Sequence, residues 1–210
     1  PHLLKLFEHI RSSGDFPEQF EVSCLTPIHK KEDVFVKDNY RGLAVGGALA
    51  NCYATLTVQR LNRWSENAGD RSPFQGGFRD RLGTMHNLLV LRHLADKHRY
   101  GHASSAPLFI CQVDFEKAFD RVPRHLLWKR LEERGLHGEM LEAVKACYNK
   151  VYMRVKVNGV VGEAFESRQG VKQGCPMSPT LYGLFGEGYA DYVQAKDKYC
   201  ADAMAAEGCP

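Results

Sequence analysis

The sequence has little of what would assign it to a disulfide-rich, zinc-binding or membrane class. It contains no Cys-x-x-Cys pair, no apolar run long enough to span a bilayer and no signal-peptide pattern. Its seven cysteines, an odd number, stand at positions 24, 52, 111, 147, 175, 200 and 209. Their spacing predicts reduced thiols in an intracellular protein. The lack of a long apolar run predicts that no membrane is a partner, and without a targeting signal the sequence does not distinguish nucleus from cytoplasm. Internal repeats and low-complexity tracts are also absent, so an ordinary globular domain is expected.

The distribution of charge is more informative than the net charge of +3. Residues 60–99 contain eight Lys or Arg against four Asp or Glu, whereas residues 186–210 contain two lysines against five acids. Basic side chains grouped in one region suit contact with phosphates, although a solvated helix face would have the same composition. The sequence therefore permits a nucleic-acid partner without requiring one.

The pattern of apolar residues predicts an α+β fold. Helical periodicity occurs over residues 1–12, 48–64, 84–97, 123–135 and 139–149, and again after residue 178. Strand-like patterns occur over residues 22–28, 108–113, 151–157 and 160–168, and a turn is expected at residues 39–42. The dipeptide Asn158-Gly159 between two alternating segments is a strong signal of a β-hairpin.

The stretch from residue 108 to residue 121 contains the first candidate site. Its apolar run predicts a short buried strand that ends at Asp114. A carboxylate at the end of such a strand can be a metal ligand or an acid–base group. It can equally be the N-cap of a helix that opens at Glu116. Composition alone leaves both readings open.

The second candidate site is the Gly- and Pro-rich segment 170–179. Its glycines and prolines favour a rigid turn that lets the backbone approach a ligand closely and presents the side chain of Gln173. The alternative is a plain strand-to-helix connection, with Ser178 as the cap and Pro179 as the first helical residue.

Together the two segments resemble conserved blocks of reverse transcriptases. Residues 109–120 resemble motif A, and residues 170–185 resemble motif B. The forms Ala-Phe-Asp-Arg-Val-Pro and Gln-Gly-Cys-Pro-Met-Ser-Pro-Thr-Leu are similar to those of non-LTR, LINE-type retrotransposon enzymes. Upstream, residues 25–41 resemble the basic fingers motif and residues 75–79 the block that follows it. The blocks occur in order and cover nearly the whole chain.

The resemblance implies a metal site and a nucleotide site. Asp114 matches the first metal-binding aspartate of the family, and the carbonyl of Phe115 would be a further ligand for Mg²⁺ or Mn²⁺. Phe119 falls at the position of the aromatic steric gate, which excludes a ribose 2′-hydroxyl; otherwise it would be read as a core aromatic. Gln173 and Gly174 match the segment that touches the incoming nucleotide and the template.

The same resemblance assigns the basic and polar contacts. Three cations resemble those that hold the triphosphate, with the choice between the two lysines left open: Lys30, Lys31 and Arg41. Four further residues are expected to contact nucleic acid: Gln75, Arg79, Pro176 and Ser178. Asp120 receives no role from the family pattern, and helix capping or a salt bridge is expected for it.

One block of the family is missing. Motif C carries Tyr-x-Asp-Asp, and the nearest match here is Tyr-Ala-Asp-Tyr at residues 189–192, inside the helical run that follows motif B. The chain also begins with Pro1 rather than Met. We therefore expect a right-hand polymerase truncated before motif C and the thumb, with a fingers-like region at 1–106 and a partial palm at 107–210.

The expected function follows from this reading. The chain would be a fragment of an RNA-directed DNA polymerase whose parent performs metal-dependent nucleotidyl transfer, and the isolated chain would be inactive. Its partners would be an RNA template, a DNA primer, deoxynucleoside triphosphates and the remainder of the parent polyprotein. The alternatives are a catalytically dead remnant, or a host protein that acts only in nucleic-acid or protein binding.

Overall fold

A computed structural model describes residues 1–69, 71–73, 75–100 and 109–206. Its helices are α1 (His2–Ser13), α2 (Glu18–Glu21), α3 (Ala48–Asn67), α4 (Thr84–Tyr100), α5 (Arg124–Glu133), α6 (Gly138–Asn149) and α7 (Ser178–Ala206). Its strands are β1 (Val22–His29), β2 (Tyr40–Gly46), β3 (Tyr152–Val157) and β4 (Val160–Glu166). The predicted α+β class is confirmed.

Local sequence signals account for several of these boundaries. Helix α1 ends at Gly14, whose left-handed φ of 75° lets its N–H reach the carbonyl of Ile10. Strands β3 and β4 meet at Asn158 and Gly159, which have φ of 49° and 83°. Two consecutive positive φ values form the tight turn that matches the twist of a hairpin, so the predicted hairpin is confirmed.

The four strands form one mixed sheet in the order β2-β1-β3-β4. Strand β1 pairs antiparallel with β2 and parallel with β3, with Ser23 opposite both Gly46 and Met153. Strand β4 pairs antiparallel with β3, and the ladder is irregular between Arg154 and Lys156.

The chain divides into two compact units. The first contains Pro1–Arg71 and Ala118–Phe185, and the second contains Ser72–Lys117 and Gly186–Pro210. The first unit holds the sheet and an apolar core in which helices α3, α5 and α6 and the start of α7 contribute fully buried side chains. Among them are Leu61, Leu127, Leu131, Val144, Leu181 and Leu184. The division into fingers-like and palm-like regions at residue 106 stays a prediction.

Two predicted elements are wrong. The segment 109–113 is irregular, with Phe109 87% exposed and Val113 58% exposed, and Leu108 lies outside the described residues. A segment becomes a strand only when its backbone hydrogen-bonds to a neighbouring strand. The described sheet consists of β1 to β4 and does not include residues 109–113. The turn predicted at 39–42 is instead the start of β2, because Tyr40 and Arg41 pair with His29 and Ile28.

The described helices were compared with the length and apolar character of a membrane-spanning helix. Along the part of the chain that the structure describes, no helix is both long and apolar enough to cross a membrane.

Candidate functional site

The loop between β4 and α7 is fixed to two other parts of the first unit. On one side, the N–H of Gly170 donates to the carbonyl of Val122 and the N–H of Val171 donates to the carbonyl of Phe119, each at 2.9 Å. On the other side, the carbonyl of Gln173 accepts from the N–H of Ala44 in β2 at 2.6 Å. The motif A-like and motif B-like segments are therefore joined through their backbones from residue 119 onward.

Two glycines make this close approach possible. Gly170 has φ of 82°, and a Cβ there would lie 2.7 Å from the carbonyl oxygen of Asp120. Gly174 has φ of 115°, and a Cβ there would lie 2.6 Å from the carbonyl oxygen of Ala44. Both positions combine a backbone conformation that favours glycine with too little space for a side chain. The Gly-rich composition of the loop thus has a structural explanation.

The side chain of Gln173 is held by Asp120. Its amide nitrogen lies 3.2 Å from each carboxylate oxygen of Asp120. A carboxylate only accepts hydrogen bonds, so it fixes the amide with the nitrogen toward Asp120 and the carbonyl oxygen turned away. The expectation of helix capping or a salt bridge for Asp120 is wrong, because its oxygens accept from an amide 53 residues away in the chain.

Arg124 holds the start of the same loop. Its guanidinium donates to the carbonyl oxygens of Gly170 at 2.9 Å, Tyr148 at 3.2 Å and Gln169 at 3.4 Å. The guanidinium also lies 5.5 Å from the ring centre of Tyr148. Burial lowers the pKa of Arg124, while Tyr148 and Glu166 act in the opposite direction. One planar cation with several donors thus binds three carbonyls on two segments, the loop and the end of α6.

A cleft of about 440 Å³ lies beside Gln173 and Asp120. Its apolar side is one face of the sheet, because cross-strand partners and alternate residues share a face. The sheet residues on that face are Leu25, Gly42, Ala44, Met153 and Phe165. Asp120, Arg124, Lys172 and Gln173 supply the polar side. The cleft therefore combines an apolar floor with a few fixed polar groups, which is typical of small-molecule sites.

Phe119 is half-buried and packs against the core. Its ring stacks on that of Tyr182 in α7, with centres 5.1 Å apart and planes 15° apart. Its role as a steric gate stays a prediction.

The predicted fingers cations are all exposed. Lys30 follows β1, and its N–H donates to the carbonyl of Asn39 at 2.8 Å, which extends the pairing with β2. The ammonium of Lys31 lies 3.5 Å from the carboxylate of Glu32. Arg41 alternates with Gly42 along β2, so its side chain leaves from the sheet face opposite to the cleft. The register therefore does not bring Arg41 onto the face that carries the cleft.

Pro176 and Ser178 differ in accessibility. Pro176 is exposed, whereas Ser178 is fully buried and its hydroxyl lies 2.8 Å from that of Tyr148. Ser178 thus has a structural partner inside the first unit, and its contact with nucleic acid stays a prediction.

In the second unit, Gln75 and Arg79 stabilise a turn. The side-chain oxygen of Gln75 accepts from the N–H of Gly77 at 3.1 Å. The guanidinium of Arg79 donates to the carbonyls of Ser72 and Gln75 at 2.9 Å and 3.3 Å. The N–H of Ser72 in turn donates to the buried carboxylate of Glu187 at 2.8 Å. These contacts are local, and the predicted role of the two residues in nucleic-acid binding stays a prediction.

Asp114 and Phe115 also belong to the second unit. Asp114 is exposed, and Phe115 is 53% exposed with its ring edge against Tyr189, 5.7 Å between centres. Within the described ranges, no group of three His, Cys, Asp or Glu side chains could hold a metal ion. The role of Asp114 and of the Phe115 carbonyl as metal ligands stays a prediction. Tyr189 lies inside α7 and not at a hairpin.

Sequence reasoning missed Arg124 as a determinant of the site. A signal was available, because Arg124 is the first residue of α5, where the helix dipole disfavours a cation. A basic residue in that position indicates a specific acceptor elsewhere. No comparable signal existed for the contact of Asp120 with Gln173, because only the fold brings the two segments together.

Comparison with known proteins identifies the family of the chain. The family described as reverse transcriptase (RNA-dependent DNA polymerase) matches residues 28–200. The Retrovirus-related Pol polyprotein from type-2 retrotransposable element R2DM of Drosophila melanogaster is 25% identical over 182 residues, which is 87% of this chain and 17% of that protein. The Transposon TX1 uncharacterized 149 kDa protein of Xenopus laevis is 30% identical over 184 residues, 88% of this chain and 14% of that protein.

A further relative is the RNA-directed DNA polymerase from mobile element jockey of Drosophila melanogaster. It is 27% identical over 186 residues, which is 87% of this chain and 20% of that protein. The chain thus covers between 14% and 20% of the length of these three relatives. The resemblance to non-LTR retrotransposon enzymes is confirmed, and the chain belongs to the reverse transcriptase (RNA-dependent DNA polymerase) family.

Proposed function

We propose that this chain supplies the nucleotide-handling part of a retrotransposon RNA-directed DNA polymerase. The observation that carries the proposal is the amide of Gln173, held by Asp120 beside the cleft. Because the amide nitrogen donates to Asp120, its carbonyl oxygen is left to accept a hydrogen bond from a nucleotide or a base pair. Gly174 lets the loop lie against Ala44 of β2, which keeps Gln173 in place beside the cleft.

The cations of the β1–β2 hairpin would contact the triphosphate or the template backbone. Lys30 is the better candidate of the two lysines, because Lys31 has Glu32 beside it and Lys30 has no carboxylate partner among the described residues. Arg41, on the sheet face opposite to the cleft, would hold a phosphate of the template backbone through bidentate contact. The RNA template, the DNA primer and the deoxynucleoside triphosphates are the ligands that this arrangement supports.

The finer fold assignment belongs to the same proposal. Residues 1–106 would form a fingers-like region, and residues 107–210 would form a partial palm. Phe119 would limit the sugar that enters. Exposed Pro176 in the first unit would contact nucleic acid, and Gln75 and Arg79 would do so in the second unit.

Catalysis by the isolated chain is not part of the proposal. Reverse transcriptases generally use a divalent metal, and Asp114 with the carbonyl of Phe115 would give such an ion only part of its ligand set. We therefore expect no primer extension by the 210-residue chain with Mg²⁺ or Mn²⁺. Metal-dependent incorporation above that of an Asp114→Ala variant would contradict this expectation.

Binding of a labelled RNA–DNA primer–template tests the function directly. Fluorescence anisotropy at several salt concentrations should give an affinity that falls as salt rises, because neutralised phosphates release counterions. Lys30→Ala and Arg41→Ala should each weaken binding and reduce the salt slope by about 1. Lys129→Ala removes a surface cation already beside Glu133 and is the matched control.

The role of Gln173 needs a separate measurement. Gln173→Ala should reduce the retention of a deoxynucleoside triphosphate on the chain–heteroduplex complex, whereas Gln59→Ala, on the exposed face of α3, should not. An affinity for the primer–template that does not change with salt concentration would refute the proposal. Equal losses of that affinity in Lys30→Ala and Lys129→Ala would also refute it.

A binding-only role is the second candidate. It is favoured by one observation, the lack of a three-carboxylate cluster within the residues described. Heteroduplex binding without any retention of nucleotide by the wild-type chain would favour this role over the first.

A further inference from the structure

A second cavity, distinct from the cleft, lies between α1, α3 and α6 in the first unit. Its volume is about 230 Å³. Most of its wall is apolar, formed by Leu4, Phe7, Leu56, Met140 and Ala143. Its polar lining comes from Glu8, Arg11, Tyr53, Thr57 and Arg60. This lining combines an apolar body with a small polar group, which is the composition of a ligand site.

Tyr53 is the unusual member of this lining. The residue is 4% exposed, and its ring packs at 5.3 Å from that of Phe7 and 6.0 Å from that of Phe16. Its hydroxyl makes no hydrogen bond with any described residue. The hydroxyl of Thr57 donates to the main-chain carbonyl of Tyr53 at 2.9 Å, and its proximity opposes the rise in the pKa of Tyr53 that burial causes, but the two hydroxyls do not have the geometry of a hydrogen bond. A buried phenol without a partner is costly, so its hydroxyl is suited to a group from outside the chain.

The two arginines of the lining are not equivalent. Arg11 forms a salt bridge with Glu139, which links α1 to α6. Arg60 has no salt bridge with a described residue and is exposed at the cavity. Both lie close enough to Tyr53 to act on its phenol electrostatically. Arg60 is therefore the cation left to meet a ligand, and Glu8 is the one opposing charge in the lining.

We infer that this cavity binds a small organic monocarboxylate with an aromatic or branched apolar body. The carboxylate would accept from the hydroxyl of Tyr53 and from the guanidinium of Arg60, and the body would pack against Phe7, Leu56 and Met140. The volume is below the 300–1,000 Å³ of drug-sized sites, which limits the ligand to a small molecule. A single guanidinium and a single hydroxyl suit a carboxylate better than a phosphate, which usually has more donors around it.

The inference is independent of the polymerase assignment, and its test needs no catalytic activity. Isothermal titration of the 210-residue chain would compare 4-methylbenzoate with its neutral analogue 4-methylbenzyl alcohol. We expect saturable binding of the acid and at least fivefold weaker binding of the alcohol. Tyr53→Phe keeps the ring and removes only the hydroxyl, and it should lower the affinity for the acid at least fivefold.

Three charge variants complete the test. Arg60→Gln should lower the affinity for the acid at least fivefold. Glu8→Gln should raise this affinity, because the carboxylate that repels the ligand is removed. Arg63→Gln, on an exposed position of the same helix outside the cavity, is the matched control and should change nothing. Thermal unfolding of each variant verifies that it is folded.

Several results would overturn the inference. One is a folded wild-type chain that shows no saturation with the acid, which is the outcome if the cavity holds only water. Another is equal affinity for acid and alcohol, and a third is an unchanged affinity in folded Tyr53→Phe. Weaker binding of the acid to Glu8→Gln would contradict the negative charge that we assign to the ligand.

Discussion

Gly170→Ala tests whether the loop approaches the segment before α5 as closely as the structure indicates. The reference variant is Gly159→Ala, because Gly159 has φ of 83° and Gly170 has φ of 82°. Alanine at Gly159 would have nothing within 4 Å, whereas alanine at Gly170 would place its Cβ 2.7 Å from the Asp120 oxygen. The two substitutions therefore share the cost of the left-handed backbone and differ in the contact.

The expected difference can be worked out from these contacts. A left-handed conformation costs a non-glycine residue about 1–2 kcal/mol, and this applies to both variants. Only at Gly170 does alanine add an overpacking cost of about 1–3 kcal/mol. A shift of the backbone there also weakens the hydrogen bonds of Gly170 with Val122 and Arg124, at about 1 kcal/mol each. Gly170→Ala should thus be less stable than Gly159→Ala by about 3–5 kcal/mol.

Urea unfolding followed by circular dichroism measures this difference. With a slope of about 2 kcal/mol per molar urea, the midpoints should differ by about 1.5–2.5 M. A Gly170→Ala chain that is already unfolded without urea also agrees with the expected direction if Gly159→Ala is folded. Midpoints that coincide would refute the reasoning, because they would mean that no backbone atom lies close to Gly170.

Further predictions concern Arg124 and two cysteines of the first unit. Arg124→Met should lower the free energy of unfolding by about 2–3 kcal/mol in urea titrations, since two part-buried carbonyls lose their donor, and Arg124→Lys should recover little of it. Burial raises the pKa of Cys147 from 9.0 to about 12, so stability present below pH 9 should fall as the pH rises toward 12. Cys147→Ala should reduce that alkaline loss in circular dichroism. Iodoacetamide should modify exposed Cys52 in the native state and Cys147 only after unfolding, as mass spectrometry would show.

The elements that were predictable from sequence are those stabilised by neighbours along the chain. Helix α1 has its apolar stripe and a glycine that ends it, and the β3–β4 hairpin has Asn158 and Gly159 at its turn. Short-range rules decide such elements, and the structure agrees with them. The segment 109–113 shows the opposite case, because its apolar composition specifies burial but not a strand partner.

The site shows the same limit. The sequence marked Gln173 as the side chain that the loop presents, but the carboxylate that orients it is 53 residues away and was predicted to do something else. The cavity at Tyr53 could not be predicted from any sequence motif. Its lining comes from three helices, and the apolar pattern of each helix indicates only a face that packs against the core. Contacts between distant segments depend on packing, which local patterns do not encode.

The sheet order has a consequence for how the chain folds. The antiparallel pairs β1–β2 and β3–β4 are local hairpins, but they are joined by one parallel ladder in which Val22 pairs with Tyr152. Closing so long a loop costs entropy before any contact compensates for it, so the hairpins should form quickly and the parallel ladder late. Pulsed hydrogen exchange during refolding would then show protection at the β3–β4 ladder before protection at β1–β3. The cleft, whose floor extends across both hairpins, would become a binding site only in that last step.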